Sequence, residues 1–150
     1  MTRKIVLDNQ ICFQISRAHQ LFNKFYQEPL SKFNLTYVQY VTLLSLWEKD
    51  GVTVNYLSQK LGLSNGTLTP LLKRLEKAGW ITRTRDKADE RRVLIHLTEL
   101  GKQKKEPILN AVQGCLNRLD YSDQQFDEVM DTIEDLQDRL EKSEKKDCEK

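Results

Sequence analysis

Apolar residues recur at helical spacing through Ile11, Cys12, Ile15, Ala18, Phe22, Phe25, Tyr26 and Leu30, which predicts a long first helix with one apolar stripe. Thr36-Tyr37-Val38-Gln39 then has the capping-box pattern, in which side chains of the first and fourth residues satisfy each other's backbone donors, so a second helix runs to about Glu48. Gly51 ends it, Thr53 caps a short helix carrying Leu57 and Leu61, and Gly62 closes that helix. In LSNGTLTPLLKRLEKAGW, residues 63–80, Leu68, Leu71, Leu72 and Leu75 share a face, Asn65, Thr67, Lys73, Arg74 and Lys77 lie largely off it, and Gly79 is the stop. Pro70 leaves two starts open, one near Asn65 with the proline inside the helix and one directly after Thr69 with the proline in the first turn.

Past Gly79 the period changes to two. ITRTR and VLIHLT flank DKADER, which predicts a β-hairpin whose tip, Asp86 to Arg92, holds Lys87, Arg91 and Arg92. Thr98 caps a further helix with Ile108, Val112, Cys115 and Leu119 on its stripe and a bend at Pro107. Ser122 with Gln125 opens a last helix whose face carries Phe126, Val129, Met130, Ile133, Leu136 and Leu140. The fold class is therefore mainly α with a small hairpin wing: a winged helix-turn-helix over about 36–97 within one domain, 1–141. Helical stripes over about 8–33 and 98–141 need another surface, and a second copy of the chain is the simplest, so a homodimer is expected. The charged tail, 142–150, is expected to be disordered.

Charge adds a partner to this picture. Residues 120–150 hold twelve acidic and five basic side chains, a balance of −7, and the first 119 residues therefore carry +9. A basic body suggests a polyanion, and the basic helix followed by a basic hairpin favours double-stranded DNA. In that geometry the short polar side chains Asn65, Thr67 and Thr69 reach base edges, and Lys73, Arg74 and Lys77 contact phosphates. Lys87, Arg91 or Arg92 then approaches the minor groove, and Asp89 either holds an arginine or simply makes the turn.

Three cysteines, Cys12, Cys115 and Cys148, form no CxxC pair, so neither a zinc site nor a disulfide-stapled scaffold fits. His19 and His96 lack ligand-spaced partners, and no cofactor or metal is implied. No apolar run approaches the roughly 20 residues a membrane span needs, and the N-terminus lacks a secretory apolar region, so a cytoplasmic protein is expected.

NQICF at 9–13, LTYVQY at 35–40, GTLTPLLKRLE at 66–76 and DERRVLIHLTE at 89–99 together resemble the MarR family of winged-helix repressors, and within it the organic hydroperoxide resistance regulators. The resemblance implies a dimer that binds a pseudo-palindromic operator until its N-terminal cysteine is oxidised by an organic hydroperoxide. It puts the sensing cysteine at Cys12 and the two tyrosines that hydrogen-bond it across the dimer at Tyr26 and Tyr37. Asp8 or Asn9 as N-cap sets Cys12 in the first helical turn, where free N–H groups favour a thiolate, and Ile11, Phe13 and Ile15 suggest an apolar pocket around it. Cys115 resembles the second cysteine with which some members trap the oxidised thiol, packing being the other reading, and Cys148 reads as an incidental thiol. Two departures from the pattern stand out: Ser16, where members commonly carry a tyrosine, and Ser64-Asn65-Gly66, where Asp-Ser-Gly is usual.

The alternatives are a MarR-type regulator answering an aromatic ligand or broader redox inputs, a thiol peroxidase using Cys12 and Cys115, and a protein-interaction module. The peroxidase reading leaves the basic helix and wing unexplained.

Overall fold

A computed structural model describes residues 3–147. Among these residues seven α-helices and three short strands follow one another as α1 (Ile11–Ser31), α2 (Tyr37–Glu48), β1 (Val52–Thr53), α3 (Val54–Leu61), α4 (Asn65–Lys77), β2 (Ile81–Arg85), β3 (Val93–Leu97), α5 (Glu99–Gln103), α6 (Lys105–Leu116) and α7 (Asp123–Asp147). The chain divides into two compact units, Met1–Cys115 and Leu116–Lys150, where one domain to residue 141 was expected.

Local chemistry sets the boundaries of the central elements. Thr36 accepts the Gln39 N–H at 3.3 Å while Gln39 Oε1 accepts the Thr36 N–H at 2.9 Å, completing the capping box of α2. Thr53 caps α3 through the Tyr56 N–H, and Gly62 closes that helix in the left-handed conformation. Ser64 caps α4 through the Thr67 N–H, so the helix begins at Asn65 and Pro70 lies inside it. The early start wins because Ser64 offers a cap oxygen and the four leucines then keep one face for the core.

β3 is the middle strand of an antiparallel sheet, with β2 on one side and β1 on the other. The register Ile81↔Leu97, Arg83↔Ile95 and Arg85↔Val93 closes the expected hairpin, and Val52↔Ile95 adds a third strand too short to show a period. Leu43, Leu57, Leu68, Leu75 and Ile95 are fully covered, forming the core beneath the sheet and α4. Gly101 in α5 allows its helix to lie on the Trp80 carbonyl, since a Cβ there would stand 2.5 Å from that oxygen. Its own carbonyl accepts the Trp47 indole N–H at 2.9 Å.

Three expectations change. The N-cap of α1 is Gln10, without a side-chain bond; Asp8 and Asn9 belong to a preceding 3-10 turn, where Asn9 Nδ2 donates to the Lys4 carbonyl. The break between α5 and α6 falls at Lys104 rather than at a bend on Pro107, which instead occupies the first turn of α6 and needs no intrahelical donor there. The Ser122–Gln125 capping box forms as expected. From it α7 continues to Asp147, through residues 142–147 of the expected disordered tail, because Glu and Lys are good helix formers and pairs such as Asp135–Arg139, at 2.7 Å, brace the helix before that stretch. Cys148 lies outside the described residues.

α1 buries only its C-terminal end. Pro29 and Leu30 are covered, whereas Ile11, Ile15 and Phe22, on the stripe around Cys12, are exposed. In the second unit, Phe126, Val129, Met130, Ile133 and Leu140 are exposed along α7.

Candidate nucleic-acid interface and thiol site

α4 turns its leucines inward and leaves its polar side chains, except the half-buried Glu76, to solvent. Asn65, Thr67, Thr69, Lys73, Arg74 and Lys77 are all exposed, on a helix whose first turn is capped by Ser64. Gly79, at φ +84°, reverses the chain after α4, and Thr98 Oγ1 donates to the Gly79 carbonyl at 2.6 Å, anchoring the base of the hairpin. At the tip, Asp86 Oδ1 accepts the Ala88 N–H and Asp89 Oδ1 accepts both the Arg91 N–H at 3.1 Å and Arg91 Nε at 3.3 Å. Asp89 therefore makes the turn and also holds an arginine. Lys87, Arg91 and Arg92 are exposed around it.

Sequence reasoning missed Glu76 and Arg83. Glu76, in the last turn of α4, receives Arg83 Nε at 2.8 Å, Arg83 Nη2 at 2.7 Å and the Arg83 backbone N–H at 3.2 Å. The Arg83 side-chain bond is the main cause holding the Glu76 carboxyl below its ordinary range. A signal was present: Arg83 shares a strand face with buried Ile81, and an arginine on that face calls for an acceptor.

The second cluster is aromatic. Phe22, Phe25, Tyr26, Tyr37 and Tyr40 gather between α1 and α2, with ring centroids of Tyr26 and Tyr37 5.0 Å apart and Tyr26 stacked on Tyr40 at 5.9 Å. Burial, then Tyr40 and Tyr37, then Cys115 push the Tyr26 phenol up to about 12. Cys115 is buried and donates to the Phe25 carbonyl at 3.5 Å. Beside Tyr37, Asn23, Gln27, Leu35 and Val38 line an open groove of about 430 Å³.

Cys12 is not part of this cluster in its own chain. It is exposed, in the first turn of α1, 14 residues before Tyr26, which is about 21 Å along the helix at 1.5 Å per residue. Cys115, beside Phe25, is about as far away, well beyond the roughly 7 Å Cα separation a disulfide tolerates. Among the described residues no group of three or more His, Cys, Asp or Glu side chains is arranged to hold a metal ion, and no helix is long and apolar enough to cross a membrane.

A capped basic helix, a three-residue connection and a basic hairpin on a three-stranded sheet define a winged helix-turn-helix protein. The comparisons with known proteins agree. A family described as the transcriptional regulator SarA/Rot matches residues 24–108, more than half of the chain. The chain belongs to this family of MarR-like transcriptional regulators. It is 49% identical over 100 residues to the organic hydroperoxide resistance transcriptional regulator of Bacillus subtilis, 67% of this chain and 68% of that one. It is 48% identical over 96 residues to TtmR of Methylorubrum extorquens, 64% of this chain, and so spans about half, 49%, of that relative. Among solved structures, reduced AbfR bound to DNA, a regulator of Staphylococcus epidermidis, is 39% identical, with a TM-score of 0.81 over 90% of this chain and 92% of that one. A disulfide form of AbfR is also similar, at 40% identity and a TM-score of 0.65 over 90% of each chain.

Proposed function

We propose that this protein is a homodimeric, redox-sensing repressor that binds a pseudo-palindromic DNA operator and leaves it when Cys12 is oxidised by an organic hydroperoxide. The observation that carries the reading is the exposed thiol in the first turn of α1, held about 21 Å from its own tyrosine cluster in a chain that also exposes a basic helix and wing. The name of the Bacillus subtilis relative and the reduced, DNA-bound state of AbfR support it.

In this reading Asn65, Thr67 and Thr69 meet base edges, Lys73, Arg74 and Lys77 neutralise phosphates, and Lys87, Asp89, Arg91 and Arg92 present the wing to the minor groove. The Cys12 thiolate attacks the terminal oxygen of the hydroperoxide, giving a sulfenic acid and the corresponding alcohol. Tyr26 and Tyr37 of the second copy donate hydrogen bonds to that sulfur. Because one chain keeps Cys12 and Cys115 apart, the Cys115 thiol that condenses with the sulfenic acid, releasing water, belongs to the other copy. The apolar stripes of α1 and α7 are what the two copies cover. Half-sites about one duplex turn apart require a fixed spacing between the two α4 helices, so repacking around a new disulfide ends simultaneous binding.

The test uses a duplex selected by the reduced protein from a random-sequence pool, followed by fluorescence anisotropy before and after one equivalent of cumene hydroperoxide. Wild-type protein should be released and Cys12→Ser should stay bound. Full affinity of the oxidised wild type ends the redox reading, and binding without salt dependence ends the DNA reading.

A further inference from the structure

α4 carries one acidic residue among Lys73, Arg74 and Lys77, and a carboxylate on a helix that approaches phosphates works against binding. Glu76 spends that charge inside the chain. One residue of the wing meets it three times: Arg83 Nε donates to Oε2 at 2.8 Å, the Arg83 backbone N–H donates to Oε1 at 3.2 Å, and Nη2 forms an ion pair with Oε2 at 2.7 Å. β2 is an edge strand, and Glu76 takes an edge donor that β3 does not use. The base of the hairpin is tied through the covered Trp80 and Ile81 and through Thr98. Two residues farther out, the fork ties β2 to α4 again, beyond the reversal at Gly79.

We propose that Glu76 is a positioning residue for DNA binding: its fork to Arg83 fixes the angle between α4 and the wing, so that both engage one duplex together. Arg83 is thereby assigned to the protein rather than to phosphate. The inference rests on the DNA-binding reading above and adds a residue that touches no DNA. Two opposite signs make it testable. Glu76→Gln removes a negative charge, which by electrostatics alone strengthens binding to any duplex; loss of the fork weakens binding only where helix and wing must fit together.

The experiment measures affinity and hydroxyl-radical footprints of the full chain on the duplex selected by wild-type protein and on an unrelated duplex of equal length. Glu76→Gln should lose about tenfold on the selected duplex, the size of one charge-assisted hydrogen bond, and lose protection at the flanks reached by the wing. Binding to the unrelated duplex should hold or rise. The exchanged pair, Glu76→Arg with Arg83→Glu, keeps the net charge and should regain part of the selected-duplex affinity. Equal or tighter selected-duplex binding by Glu76→Gln overturns the proposal, as does a loss that the exchange leaves untouched or an equal loss on both duplexes. Wild-type protein that binds neither duplex overturns the DNA reading itself.

Discussion

The segment from Tyr37 to Leu97 and the long helices α1 and α7 use the same apolar residues in opposite ways. In the segment, leucines at helical spacing meet Ile95 and one another and leave no large apolar face open, while threonine and serine caps close α2, α3 and α4. In α1 and α7 the spacing is as regular, yet Ile11, Ile15, Phe126, Ile133 and Leu140 face solvent. Periodicity thus announces that a face will be covered without saying by what. Burial within the chain separates the part that stabilises itself from the part whose apolar face stays open, the face that the proposed dimer would cover.

Substitutions that remove apolar contacts should divide along the same line. Leu75→Ala, at a fully covered position, should cost about 3 kcal/mol of unfolding free energy in urea denaturation, because it removes buried methyl groups and leaves a cavity. A loss below 1 kcal/mol, on the order of a surface change, would break the comparison. Thr36→Ala, which opens the capping box of α2, should cost about 1 kcal/mol by the same measurement. Ile133→Ser, on the exposed face of α7, should change the unfolding free energy of dilute chains by less than about 0.5 kcal/mol. Sedimentation of the same variant should shift toward the monomer. A large folding cost with unchanged sedimentation would put the comparison the wrong way round.

The smallest effect is confined to alkaline solution. Tyr26 ionises near 12 rather than at its ordinary value of 10, so the unfolded chain releases this proton before the folded one does. Its contribution is complete below pH 10 and is lost as pH rises toward 12. Tyr26→Phe should flatten the fall of the thermal midpoint between pH 10 and 12, and ultraviolet difference titration should show one late-ionising phenol fewer.

The winged helix was legible because its signals are local: caps at Thr36 and Thr53, a period of 3.6 in α4, and a change to period two after Gly79; the Ser64 cap that fixes the start of α4 was not among them. β1 was not, since a two-residue strand has no period and exists only because β3 offers an edge. The N-cap of α1 went to Gln10 because Asp8 and Asn9 are drawn into the preceding turn, a competition the sequence does not rank. Exposed positions such as Lys73 and Arg91 follow directly from spacing. The tyrosine cluster rests on family likeness, because contacts between α1 and α2 are too far apart in sequence to leave a periodic mark. The Glu76–Arg83 fork was visible only as an arginine on the inward face of a strand.

Gly101 bears on how a mutational survey of this protein should be interpreted. Any side chain there collides with the Trp80 carbonyl and presses on Leu97, so replacements at 101 disturb the root of the wing from behind. Such a survey will score Gly101 as intolerant in a DNA-binding assay, beside residues of α4 itself. A drop in that score at residue 101 measures a lost fold, whereas a drop at an exposed lysine measures a lost contact; abundance of the folded chain, read in parallel, tells the two apart.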